Sequence, residues 1–287
     1  MSTEKLRIAI QKAGRLNEDS LKILKDAGIS IDNGKEQLKA TSSNFPMEVL
    51  YLRNGDIPQY LRDGVVDIAF LGENVLEEKG DDIFQSLKLG FSKCRVSLAV
   101  PKSAKYNGLE DLEGKRIATS YPNTLNSFLK KKGITADLHI INGSVEIAPN
   151  IGLADAICDI VSSGNTLFKN NLKEVEVMMK SEAVLAVAPN ISEDRREILD
   201  KLEFRLKSVL NARSSKYILL NAPDDKLAEI IELLPGMRSP TVLPLAEKGW
   251  SSIHTVIQEK RFWEIIQELK ELGAEGILVA PIEKMVL

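Results

Sequence analysis

Residues 7–16 read RIAIQKAGRL, and residues 116–125 read RIATSYPNTL. Each opens on Arg-Ile-Ala and carries Leu nine positions after the arginine. Each has the form of a short apolar strand, a polar loop and the start of a helix. Asn17 and Asn123 are the expected helix caps. The helices then run into LKDAGIS and LKKKGIT, where Gly28 and Gly133 are the expected ends. The repetition continues in NGDIPQYLRDGVVDIAFLGENVL from Asn54 and NGSVEIAPNIGLADAICDIVSSGNTL from Asn142. Both contain a helix, a Gly-x-x-Asp (Gly64 with Asp67, Gly152 with Asp155), an apolar strand and a Gly-bearing loop into another helix. Chance similarity between two βα units is the plain alternative, and duplication of a lobe is the favoured reading. Alternating strands and helices imply mostly parallel sheets, whose ligands sit at the carboxyl ends of the strands. Two such lobes facing one another make a cleft.

RVSLAVPKSA from Arg95, ended by Pro101, and SEAVLAVAPN from Ser181 read as apolar strands crossing between the lobes. Residues 1–94 with 181–211 then form the first lobe, and residues 95–180 an inserted second lobe. After about residue 212 the pattern changes. SKYILLNA is a strand, PDDKLAEIIELL a helix stopped by Pro235-Gly236, and SPTVLPLA and SSIHTVIQ are strands. KRFWEIIQELKELG is amphipathic, with Phe262, Ile265, Ile266 and Leu269 at helical spacing, and GILVAPI is a closing strand. The order βαββαβ predicts a ferredoxin-like domain over residues 212–287. It carries no phosphate-type loop, which points to a regulatory or assembly role.

The chain has 287 residues, enough for two or three domains, and is 44% apolar, enough for sizeable cores. A net charge of −3 argues against nucleic acid as the main partner. No apolar run approaches membrane-spanning length, and MSTEKLRIAIQKAGR lacks the features of a secretory signal. A soluble cytoplasmic protein is expected. Cys94 and Cys158 have no metal-type spacing and read as small packed residues. His139 and His254 are the only histidines, too few for most triads or zinc clusters.

The chemistry-bearing residues fall into three sets. Ser162-Ser163-Gly164-Asn165-Thr166 follows an apolar strand and precedes a helix. Hydroxyls and amides beside a glycine suit an anion such as a phosphate, although a capped turn explains the loop equally well in isolation. Lys12 and Arg15 flank Gly14 in the first strand-to-helix loop and suit a polyanion; a solvated loop is the alternative. Glu146, Asp155 and Asp159 precede the hydroxyl-rich loop and suit sugar hydroxyls or Mg2+. Asp155 and Asp159 are four apart, so on one strand they share a face; a turn-capping Asp155 is the alternative.

At these residues the chain resembles the ATP phosphoribosyltransferase family in its long form. IAIQKAGRL resembles the family's opening segment. Glu146-x5-Gly152-x-Ala154-x2-Ile157-x-Asp159-Ile160-x2-Ser163-Gly164-x-Thr166-Leu167 resembles its signature throughout. LPGMRSPTVLPLAEKGWSSIHTVI and LKELGAEGILVAPIEKM resemble the long form's regulatory domain. One departure is Ala13, where the family often has Ser.

The resemblance implies an α/β fold with a two-lobed, periplasmic-binding-protein-like catalytic unit and a C-terminal ferredoxin-like domain. It implies condensation of ATP with phosphoribosyl pyrophosphate, giving N1-phosphoribosyl-ATP and pyrophosphate in the first step of histidine biosynthesis. It further implies Mg2+, feedback inhibition by histidine, and a homo-oligomer of dimers and hexamers. Residues 162–166 would hold the donor's 5′-phosphate, with Asp155, Asp159 and Glu146 facing its ribose. Lys12 and Arg15 would meet the diphosphate from the opposite lobe. Leu71, Gly72 and Glu73, the first lobe's counterpart loop with Asn74, are ATP candidates, as are Arg95 and a stacking Tyr121. Asn221, Ser239 and Thr241 are candidates for histidine, with turn chemistry around Pro240 as the alternative. Whether Mg2+ touches protein or only the substrate phosphates stays open. The competing function is a non-catalytic two-lobed small-molecule binding or effector-sensing protein.

Overall fold

The computed structural model describes residues 4–32, 38–80, 82–234 and 236–287. The first half of the chain forms β1 (Leu6–Gln11), α1 (Arg15–Asp26), β2 (Lys39–Thr41), β3 (Met47–Leu52), α2 (Ile57–Arg62), β4 (Ile68–Gly72), α3 (Glu73–Lys79) and β5 (Phe84–Lys88). It continues through β6 (Cys94–Pro101), β7 (Arg116–Thr119), α4 (Pro122–Lys132), β8 (Asp137–Ile140), β9 (Ala156–Val161), α5 (Asn165–Lys169), β10 (Leu172–Ser181) and β11 (Ala183–Val187). The remainder forms α6 (Glu193–Arg213), β12 (Ser215–Pro223), α7 (Leu227–Leu233), β13 (Thr241–Pro244), β14 (Trp250–Gln258), α8 (Glu259–Glu271) and β15 (Glu275–Pro281). By contacts the chain divides into two compact units, Met1–Lys25 with Ile29–Leu199, and Asp26–Gly28 with Asp200–Leu287.

The first unit holds two sheets, ordered β2-β3-β1-β4-β11-β5 and β10-β6-β9-β7-β8. In the first sheet β1 runs parallel to β3 and β4. In the second, β7 runs parallel to β8 and β9. These strands are apolar because helices or loops cover both faces: Ile8, Ile10, Ile68, Phe70 and Leu71 are fully buried, as are Val96, Leu98, Ile117 and Ala156. Burial of each large aliphatic side chain stabilises the lobe by about 1.5–3 kcal/mol before entropy is subtracted.

The repeated Arg-Ile-Ala has a shared structural role. In the first sheet Arg7 donates through Nη2 to the Gly64 carbonyl at 2.8 Å and to Asp67 Oδ1 at 3.1 Å. In the second, Arg116 donates to the Gly152 carbonyl at 3.0 Å and to Asp155 Oδ1 at 3.0 Å. The backbone amide of each arginine reaches the same carboxylate, at 2.7 and 3.0 Å. Each Gly-x-x-Asp turn is thus clamped to the start of the neighbouring parallel strand. Gly64 and Gly152 take φ of 64° and 74°, a conformation that side chains disfavour.

Three local expectations change. Asn17 lies inside α1, and its amide turns back to the Gln11 carbonyl at 2.7 Å. Asn123 lies inside α4, which begins at Pro122 without a side-chain cap from its own N-cap residue. A carboxylate from the other lobe serves instead: Glu78 on α3 accepts the amides of Asn123 and Thr124 at 3.0 and 2.9 Å. The strands from Arg95 and Ser181 do not cross between the lobes: the first is β6, which pairs with β10 and β9 inside the second sheet, and the second is β11, which pairs with β4 and β5 inside the first. The chain passes between sheets in the short segments on either side, between β5 and β6 and at Glu182 between β10 and β11.

The second unit carries the antiparallel sheet β13-β14-β12-β15. With α7 and α8 this is the βαββαβ arrangement. Ile218, Leu220, Ile230, Ile253, Phe262, Ile265 and Leu269 form its core, with Ile266 packed at its margin. Pro235, expected to stop α7, lies outside the described residues.

Candidate functional site

Parallel strands deliver their following loops to one edge of a sheet. In the first sheet that edge carries Lys12 to Arg15 after β1 and Glu73-Asn74 after β4. In the second it carries Tyr121 after β7, the segment to Glu146 after β8 and residues 162–166 after β9. The two carboxyl edges are stitched together. Asn74 Nδ2 donates to the Tyr121 hydroxyl at 2.9 Å, and Ser181 Oγ donates to Asn74 Oδ1 at 2.8 Å. All three residues are buried.

The loop at 162–166 is exposed except at Gly164, which is half-buried and adopts φ of 81°. The Ser162 carbonyl accepts Arg95 Nη1 at 3.1 Å. The Thr166 carbonyl accepts the Asn170 side chain at 2.9 Å. Three residues before Ser162, Asp159 sits half-buried on β9. Burial pushes its carboxyl above the ordinary aspartate range, opposed by the Ile160 amide and reinforced by the negative charge of Glu146. Glu146 arrives through a tight turn in which Gly143 and Ser144 both have positive φ, 88° and 51°. A serine in that region stores strain of about 1–3 kcal/mol, which the surrounding turn must hold.

The structure leaves Asp155 out of this group. It precedes β9 at the opposite end from the loop, and four residues of strand span about 13 Å. Its carboxylate is taken by Arg116, whose side chain and amide hold it below the usual carboxylate range. Asp155 is therefore the strand-start partner matching Asp67, and not a group facing the loop.

The ATP candidates separate similarly. Leu71 is fully buried in the first lobe's core. Tyr121 is buried within the second lobe's core and its hydroxyl is taken by Asn74, so its ring offers no face for stacking in this arrangement. Gly72 has an ordinary φ of −78°; a Cβ there would lie 2.2 Å from Asn74 Oδ1. That glycine makes room for the Asn74 link. Glu73 and Arg95 both line a cavity of about 500 Å³, with Lys88, Lys93, Lys180 and Ser162. Within it Lys88 pairs with Glu73 at 2.8 Å.

Lys12 and Arg15 are exposed at the first sheet's carboxyl edge, and Arg15 Nε lies 3.7 Å from Asp19 Oδ2. Gly14 between them has φ of 88°. Cys158 is buried and its thiol is pushed up to about 12 by desolvation. His139 is a surface partner of Asp137 at 3.1 Å.

In the second unit Thr241 pairs with His254 on β14, while Asn221 pairs with Ser252 from the other side of that strand. Thr241 and Asn221 are thus two strands, about 10 Å, apart. Ser239 is exposed before β13. His254 stands between them, its Nδ1 2.6 Å from the Tyr217 hydroxyl and its Nε2 3.2 Å from Ser252 Oγ.

The sequence places Asn74 in the first lobe's LGEN loop without showing its link to Tyr121 and Ser181, and it gives no signal for Glu78, Glu174 or Ser181.

Comparisons with known proteins agree in direction. The family profile described as ATP phosphoribosyltransferase matches residues 53–208, and that of its C-terminal domain matches residues 212–284. An ATP phosphoribosyltransferase of Phocaeicola vulgatus is 58% identical over 98% of this chain and 100% of its own length. That of Cytophaga hutchinsonii is 57% identical over 98% of both chains. Among solved structures, the ATP phosphoribosyl transferase (HisG:HisZ) complex from Thermotoga maritima matches with a TM-score of 0.60 and 32% identity. The match covers 70% of this chain and 96% of that one. Tv2483 bound to L-arginine, at 14% identity, has a TM-score of 0.52 over 71% of this chain and 84% of its own, a likeness of fold alone.

Proposed function

This chain belongs to the ATP phosphoribosyltransferase family, and from that premise we propose that it joins ATP to phosphoribosyl pyrophosphate, releasing pyrophosphate, as the first step of histidine biosynthesis. The carrying observation is the exposed loop at 162–166 leaving β9 directly after the raised, half-buried Asp159 with Glu146 beside it. Ser162, Ser163, Gly164, Asn165 and Thr166 receive the donor's 5′-phosphate on amides and hydroxyls. Asp159 and Glu146 face the ribose. Lys12 and Arg15, on the opposing edge, take the diphosphate; unit charges 4 Å apart near a surface attract by about 4 kcal/mol. ATP occupies the cavity beside Ser162, its phosphates toward Lys88, Lys93 and Lys180.

Adenine N1 already carries a lone pair, so no strong base is required. The site's task is alignment for in-line displacement at C1′ and stabilisation of charge on the departing diphosphate. Positive charge developing on the sugar is favoured by two carboxylates that otherwise repel one another. That repulsion also suits Mg2+. Among the described residues no group of three His, Cys, Asp or Glu side chains could hold a metal. Glu146 and Asp159 would therefore share the ion with donor oxygens, where it neutralises diphosphate charge.

Histidine inhibits through the second unit, and dimers and hexamers form in the cytoplasm. Exposed Leu243, Leu278 and Val279 on that unit's sheet suit an assembly surface. The test is to mix protein, ATP, phosphoribosyl pyrophosphate, Mg2+ and pyrophosphatase and follow near-ultraviolet absorbance of the modified adenine. A donor-dependent rise is expected. Absence of a rise from folded protein that still binds both ligands would favour a binding module.

A further inference from the structure

Arg95 is a poor ATP ligand, because most of its donors are already committed. Its Nε and Nη2 both reach the carboxylate of Glu174 on β10, the latter at 2.6 Å. Its Nη1 reaches the Ser162 carbonyl. A guanidinium is planar with donors in a fixed fork, so gripping two of them sets the direction of the third. Glu174 is itself fixed: Ser97 Oγ, almost fully buried, donates to its Oε1 at 2.6 Å. Ser97 stands opposite Asp159 in the β6–β9 register, on the same face of the sheet. A connected chain Ser97–Glu174–Arg95 therefore runs from beside Asp159 to the first residue of the loop.

The consequence follows from the peptide bond. A trans peptide is planar, with its carbonyl and the next N–H pointing in opposite directions. Tethering the Ser162 carbonyl to Arg95 aims the Ser163 N–H away from Arg95. We propose that Glu174 is a positioning residue for phosphate binding: through Arg95 it orients the Ser162–Ser163 peptide so that the Ser163 N–H is presented to the donor's 5′-phosphate. The inference rests on the reading of residues 162–166 as the phosphate loop. It adds a residue on a strand outside the signature, and it takes Arg95 from the nucleotide to the loop.

The test uses the full chain with Glu174→Gln, Arg95→Lys and Ser97→Ala. Glu174→Gln keeps the shape but loses the charged fork, Arg95→Lys loses the fork itself, and Ser97→Ala removes one restraint without touching the loop. Steady-state kinetics give KM for each substrate, and calorimetry gives the Kd of ribose 5-phosphate. The first two variants should raise the donor KM and the ribose 5-phosphate Kd about tenfold, the size of one oriented charge-assisted hydrogen bond. Ser97→Ala should raise both about two- to threefold, and the ATP KM should stay within about twofold in all three. Thermal unfolding identifies any variant that does not fold, and Ser97→Ala, which deletes only a hydroxyl, then decides. An ATP KM that rises as much as the donor KM would overturn the proposal by returning Arg95 to the nucleotide. So would an unchanged Kd in every folded variant. Wild-type protein that turns over both substrates but does not bind ribose 5-phosphate would sink the loop assignment itself, leaving the enzymatic reading standing.

Discussion

Glu78 should hold the two lobes together, and truncating it should cost more than any exposed charge. Its side chain is 5% exposed at the end of α3. It accepts hydrogen bonds from the Asn123 amide at 3.0 Å, the Thr124 amide at 2.9 Å and the Thr124 hydroxyl at 2.8 Å. These amides belong to α4's first turn and have no partner within the helix, while Pro122 ahead of them has no N–H to satisfy. A hydrogen bond to a charged group contributes about 1.5–3 kcal/mol, and the three are not additive because they share one carboxylate. Glu78→Ala strands the two buried Thr124 donors and the half-buried Asn123 amide, for a loss of about 3 kcal/mol. At about 2–4 °C per kcal/mol for a unit of this size, the first unit should melt about 6–12 °C lower. Glu78→Gln keeps one acceptor oxygen and should lose about a third of that. Glu77→Ala, on the exposed side of the same helix, should move it by less than about 0.5 kcal/mol. The assay is scanning calorimetry of all three. A Glu78→Ala transition within about 2 °C of wild type, or equal losses in the Ala and Gln variants, would refute the reasoning.

Asp159→Asn should raise the melting temperature at neutral pH and lower turnover about a hundredfold or more, because a carboxyl whose ionisation burial opposes serves the reaction and not the fold. Its folded pKa is raised, so the cost of ionisation is present above that value and absent below the unfolded value of about 3.9; the stability gain should vanish in acid. Asp155→Asn should behave oppositely. Its folded pKa is depressed by Arg116, so the wild-type advantage, at most about 1 kcal/mol for so exposed a pair, should be constant above about pH 5 and disappear as pH falls below about 4. Gly72→Ala should push Asn74 off Ser181 and Tyr121, measurable as loss of stability and faster exchange of the Asn74 amide; unchanged exchange would mean the link is not what the glycine protects.

Much of the architecture could be read locally. Apolar runs of strand length, helical periodicity and glycines at chain reversals are short-range signals, and they located both lobes' repeated strand–loop–helix and the βαββαβ unit. They also singled out residues 162–166 and the acid at Asp159, because hydroxyls, glycine and a carboxylate beside an apolar run are an unusual composition. What those signals could not say was which partner each polar side chain would meet. Arg116 and Asp155 are 39 residues apart, Arg95 and Glu174 79, and Asn123 and Glu78 45. Each pairing exists because strand order brings distant segments to one edge. Asp155 and Asp159 look alike in the linear chain, yet one is spent on an arginine and the other is held above its normal titration range. Tyr121 looks like a stacking residue until folding seals it against Asn74. The residues free to meet a ligand are those left over once the lobes have satisfied their own buried polar groups, and that remainder depends on long-range pairing which no local pattern encodes.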